Sequence, residues 1–90
     1  MGEMTLQAGD IVEARLTPLR TDDLVPAAAS LVGTVRQYVA SWIVDDDFPY
    51  AGQWRMELMD RVPGVRWVPE CDLSEIVHVG IHEDYGWERL

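Results

Sequence analysis

His78 and His82 stand four residues apart and are followed directly by Glu83 and Asp84, a run of metal-ligating side chains. On a helix that spacing would put two imidazoles on one face, where both could reach a zinc ion at about 2 Å. The flanking residues Ile76, Val77, Val79, Gly80 and Ile81 have strand character instead, and positions four apart on a strand lie about 13 Å from each other. His78 and His82 are therefore expected to be ordinary surface side chains, and neither a metal nor a cofactor is expected. Asp45, Asp46 and Asp47 offer oxygens to a cation but lack the alternating ligand positions and glycine of a calcium loop, so they read as a solvated acidic loop. Cys71, the lone cysteine, needs a neighbouring base to act as a nucleophile, and His78 is the sequence's one candidate. A small buried core thiol is the expected role.

The aromatic residues divide by context. Trp54 and Trp67 fall on segments with strand patterning, where a cross-strand aromatic pair contributes up to about 1 kcal/mol, and both are assigned to packing. Phe48, Tyr50 and Trp87 fall in loop or tail segments beside acidic residues, a composition suited to an interaction patch. Together with Asp22, Asp23, Asp45, Asp46 and Asp47 they form the expected partner-binding set; no catalytic residue is assigned.

The elements that must carry these residues are marked by alternation and by turn residues. Gly9-Asp10 opens a strand in which Val12, Ala14 and Leu16 alternate with Glu13 and Arg15, and Pro18 ends it. Residues 18–29 form a long connection with two prolines, and 45–52 a loop with acidic, proline and glycine punctuation. Trp54, Met56 and Leu58 alternate with Arg55 and Glu57, and Val62-Pro63-Gly64-Val65 suits a tight turn of type II. A hairpin over 53–69 follows, then a short helical turn near 69–74 and a closing strand at IVHVGI.

The stretch from Ser30 to Asp47 is ambiguous. With helical spacing, Leu31, Val32, Val35, Tyr38, Val39, Trp42 and Ile43 share one side. By residue type it is a β-branched and aromatic run with Gly33 near its start, which disfavours a helix by about 1 kcal/mol. The order of the elements decides. Gly9-Asp10-Ile11-Val12, Gly33-Thr34-Val35, and Trp67-Val68-Pro69 with Leu73 resemble the motifs of small SH3-like, KOW-like barrel domains over residues 9–81. The layout is similar to that of small barrel subunits that dock on larger complexes. The resemblance implies a mainly β fold, a barrel of about five strands, with Val32 to Val39 extended. The alternative is an α+β fold, βαβββ, with a helix at about 26–43. One domain at 9–81 is expected, preceded by an N-terminal extension at 1–8 and followed by a tail at 82–90. The loops at 18–29 and 40–52 are long for the family, and its basic nucleic-acid-binding residues are absent here.

Ninety residues with sixteen acidic and seven basic side chains carry a formal net charge of -9. A domain of this size buries roughly 60 to 65% of its unfolded surface in a single core. Polyanions should be repelled, so direct binding to nucleic acid or to an acidic membrane surface is not expected. All seven basic residues are arginine and neither lysine nor asparagine occurs, a usage that suggests a GC-rich genome. No apolar stretch approaches the ~18 residues of a membrane span, and with one cysteine the expected setting is the cytoplasm. The leading functional expectation is a non-enzymatic interaction module, an acidic adaptor, accessory or phage-encoded protein binding a basic or apolar surface of a larger protein. An acidic mimic of nucleic acid is the second reading, and a small enzyme or metal-binding protein the third.

Overall fold

A computed structural model of the chain describes residues 6–18, 26–43 and 52–83. The fold is mainly β, with five antiparallel strands: β1 (Asp10–Leu16), β2 (Val35–Ile43), β3 (Trp54–Val62), β4 (Val65–Pro69) and β5 (Leu73–Ile81). Their order across the sheet is β4-β3-β2-β1-β5. β1 lies between β2 and β5, and its alternation is borne out: Val12, Ala14 and Leu16 are buried, while Glu13 is exposed.

The helix alternative for 26–43 is overturned. Only Pro26–Ala29 is helical, a single turn within the stretch read as an irregular connection. Leu31, Val32 and Thr34 donate to the carbonyls three residues back, those of Ala28, Ala29 and Leu31. Gly33 then reverses the chain with a φ of +82°, which glycine adopts without steric cost. The expectation of an extended backbone therefore holds from Val35 and fails over Val32–Thr34, where Gly33 is needed as a hinge into β2. At the other end β2 continues to Ile43, so residues 40–43, expected in a loop, are strand. Within β2, Tyr38 faces Val12 of β1 on one side and Leu58 of β3 on the other.

The β3–β4 hairpin matches its sequence signature: Pro63 and Gly64 form the corner, and Gly64 has a φ of +84°. A side chain there would be strained and would also press on Ala27, 3.0 Å from the site of an added Cβ. Glu70–Asp72 forms the expected short helical turn, of 3₁₀ type. That turn dictates curvature. From Pro69, the end of one sheet edge, to Leu73, the start of the other, the chain spans at most about 14 Å, whereas a flat five-stranded sheet holds its edges about 19 Å apart. The sheet must curl, and the Thr17 amide donates to the Asp72 carbonyl at 2.7 Å to fasten β1 to the turn.

The curl encloses a core that includes Val12, Leu16, Tyr38, Met56, Val68 and Leu73, with Leu6 and Trp54 packed against it. Tyr38 is fully buried, and its hydroxyl finds no hydrogen-bond partner among the described residues. Burial pushes its ionisation above the ordinary value, an effect partly offset by the Arg36 guanidinium. The unfolded chain's phenol ionises first as pH rises past about 10. Stability linked to Tyr38 is therefore complete below that pH and is lost as pH climbs toward the raised native value. Tyr38→Phe should leave neutral-pH stability unchanged or slightly raised, because the hydroxyl removed has no partner. It should also flatten the alkaline decline, as measured by urea midpoints across pH.

Candidate interaction surface

All eight expected partner-binding residues, Asp22, Asp23, Asp45, Asp46, Asp47, Phe48, Tyr50 and Trp87, lie outside the described residues. The sheet nevertheless fixes where their segments are anchored. Residues 44–51 connect Ile43 at the end of β2 to Gly52, and the C-terminal residues continue from Glu83 just after β5. These anchors share one end of the sheet. The Gly9 amide donates to the Ala40 carbonyl at 2.7 Å, the His82 amide donates to the Gly9 carbonyl at 2.7 Å, and Asp10 is in register with Ile81. Residues 19–25, which include Asp22 and Asp23, connect the opposite end of β1 to the helical turn before β2. The anchors of that segment are thus separated from the others by the length of a sheet strand.

A buried polar cluster reinforces the shared end. The Asp10 side chain is almost wholly buried; one carboxylate oxygen accepts from the Gln7 amide at 2.7 Å, and the other lies 3.0 Å from His78 Nε2. His78 is thus half-exposed and held by Asp10 across 68 residues of sequence. His78 lies within β5 as expected, and His82 follows directly after its end. Among the described residues no group of three or more metal-ligating side chains forms.

Cys71 corrects the expectation of a core thiol. It is only partly buried, on the 3₁₀ turn, where its amide donates to Gln53 Oε1 at 3.1 Å and its thiol lies 3.6 Å from Asp72 Oδ1. Desolvation, then the neighbouring Asp72 carboxylate, pushes the thiol's ionisation up, which is the opposite of an activated nucleophile.

The expected Trp54–Trp67 pair does not form either. Trp67 is in register with Glu57, and the Arg55 guanidinium lies 4.4 Å from the centre of its ring. Trp54 packs on the core and its amide donates to the Glu70 carboxylate at 3.0 Å. Between the pairs Glu57–Trp67 and Val62–Val65 the ladder is irregular, with residues 58–61 facing Arg66 alone. A shallow concavity of about 770 Å³ lines this splayed stretch. Residues 53–69 carry three arginines against two carboxylates, so the acidic surplus of the chain lies outside the hairpin. No helix among the described residues is long and apolar enough to cross a membrane. Against known proteins, the chain matches no family model, no curated protein and no solved structure.

Proposed function

We propose that the chain is a non-enzymatic binding module of SH3-like barrel type. Its acidic, aromatic segment around Asp45, Asp46, Asp47, Phe48 and Tyr50, with Trp87, engages a basic or apolar surface of a larger protein. The observation that carries the reading is the shared anchorage of residues 44–51 and of the C-terminal residues at the Gly9–Ala40–His82 end of the sheet. A rigid, hydrogen-bonded base for two acidic, aromatic segments is what a binding surface needs, because it lowers the ordering cost of association. The strand order β4-β3-β2-β1-β5, with a tight β3–β4 hairpin and a 3₁₀ turn before β5, is the order expected of a small SH3-like barrel and supports that part of the proposal. Net charge supports the partner class: at -9, electrostatic steering favours a basic surface and opposes polyanions.

Affinity capture with charge-reversal variants tests the site. Asp45→Arg/Asp46→Arg/Asp47→Arg should abolish recovery of the partner, whereas Asp22→Arg/Asp23→Arg, anchored at the other end of the sheet, should retain most of it. Equal recovery by wild type and the triple variant would overturn the assignment, and so would loss only with the Asp22/Asp23 variant.

A further inference from the structure

β5 is longer than the strand it lies on. Its nine residues, Leu73–Ile81, run beside the seven of β1, Asp10–Leu16, and two bulges take up the difference. At the first, Glu13 faces Val77 and Arg15 faces Ser74, so Glu75 and Ile76 share Ala14. At the second, Ile11 faces Gly80 and Val12 faces His78, which leaves Val79 without an opposite number. The first bulge is strained. Glu75 has a φ of +53°, in the left-handed region, and no other non-glycine residue among those described does. The bulged arrangement also leaves apolar surface in water: Val77, Val79 and Ile81 are 56%, 47% and 45% exposed, while Ile76 packs on the core.

Without bulges the same two strands match differently. With Leu16–Leu73 and Arg15–Ser74 kept as they are, Ala14 would face Glu75, Glu13 would face Ile76, Val12 would face Val77, Ile11 would face His78 and Asp10 would face Val79. Opposed side chains of an antiparallel pair share a face. Val77 and Val79 would therefore join Val12 and Leu16 inside, and Ile76 and His78 would turn outward. Leu73, Val77, Val79 and Ile81 would then alternate as in a half-buried strand, with Glu75 the one exception.

Two polar contacts oppose the straight register. Straightening takes the Glu75 carboxylate from the Arg15 guanidinium that now holds it and brings it inside, beside buried Ala14. A carboxylate desolvated without a partner is costly. Straightening also carries His78 away from the nearly buried Asp10 carboxylate, 3.0 Å from it in the bulged register. We propose that β5 is a two-register strand, in which Arg15–Glu75 and Asp10–His78 select the bulged register over a straight one with better apolar alternation. The slide leaves β1–β4 and the 3₁₀ turn in place. It turns over residues 76–79, and it moves the end of β5 by two positions along β1, about 7 Å. His82, whose amide donates to the Gly9 carbonyl, would then face Gln7.

Two measurements on the full chain test the proposal. Glu75→Val/His78→Thr removes both selecting contacts and puts a β-branched residue, which resists positive φ, at the first bulge. Cross-strand nuclear Overhauser contacts of Val12 should move from residue 78 in wild type to Val77 in the variant, and those of Glu13 from Val77 to Ile76. A folded variant that keeps the wild-type pattern would overturn the proposal. The second measurement retains Glu75 and His78. In a Cys71→Ser background, Glu13→Cys/Val77→Cys matches the bulged register and Glu13→Cys/Ile76→Cys the straight one. Glu13 and Ile76 point to opposite faces in the bulged register, so the second pair can close only after the slide. Both pairs should form disulfides in a glutathione buffer, and the second should lock in the Val12–Val77 contact. A Glu13/Ile76 pair that stays reduced where the Glu13/Val77 pair closes fully would overturn the proposal, whether or not the first variant folds. Neither measurement needs a second protein, so the outcome is independent of the acidic surface proposed above.

Discussion

Leu16→Ala should destabilise the domain by about 2–5 kcal/mol, the range for removing a large aliphatic side chain from a packed core. Leu16 is completely buried at the end of β1, and three parts of the chain converge on it. It is in register with Leu73 of β5, its amide donates to the Thr34 carbonyl at 3.1 Å, and its carbonyl accepts from Gly33 at 2.8 Å. Backbone on both sides is fixed by these bonds, so the cavity cannot collapse easily and the cost should fall toward the upper part of the range. A domain of this size has only ~5–15 kcal/mol to lose. The melting temperature should drop by about 4–8 °C for each kcal/mol. A loss below about 1 kcal/mol by urea titration would show that the site is not close-packed.

The second large effect is expected at the opposite end of the sheet. Asp10→Ala removes the acceptor for the Gln7 amide and the partner of His78 at once. Leaving a partly buried amide unpaired costs about 1–3 kcal/mol. The exposed histidine contributes less, because water can replace its partner. Asp10→Asn keeps one carbonyl acceptor and should recover part of the loss. The same substitution should loosen the Gly9–Ala40–His82 junction on which the proposed binding surface rests. Amide exchange at Gly9 and His82 should therefore accelerate more than at Leu16 or Tyr38. Uniform acceleration would mean that Asp10 supports the whole fold rather than this end of it.

The legible parts of the fold are those where local chemistry and burial agree. In β1, inward Val12, Ala14 and Leu16 alternate with outward polar residues, and the pattern can be read directly. The β3–β4 hairpin is legible because Pro63-Gly64 permits few conformations. β2 resists reading because its two faces run against the usual rule. Arg36, Tyr38 and Ala40 share the parity of the core-facing residues of β1, and Val35 on the other face is exposed while Val39 there is buried. With an arginine on the inner face and valines on the outer one, no period of two shows. The residual apolar spacing mimics a helix, and Gly33 is what separates the helical turn from the strand.

Register is the other thing a sequence of this kind withholds. The Asp10–His78 contact joins residues 68 apart, and no local motif announces it. Trp67 meets Glu57 rather than Trp54 in the register that sets Arg55 against Pro69, and composition does not encode that register. The candidate surface was readable as a set of acidic and aromatic residues. That the anchors of residues 44–51 and of the C-terminal residues share an end, and those of 19–25 do not, follows only from the order of strands around β1. The same order makes β5 an edge of the sheet.

Cross-strand nuclear Overhauser contacts of β1 test this order most directly. The fold predicts contacts from Val12 to both Tyr38 and His78, and from Glu13 to both Gln37 and Val77, with extended-chain connectivities from Val35 to Ile43. Contacts from β1 to one neighbour only, or helical connectivities running on from Ala29 through Ile43, would contradict it.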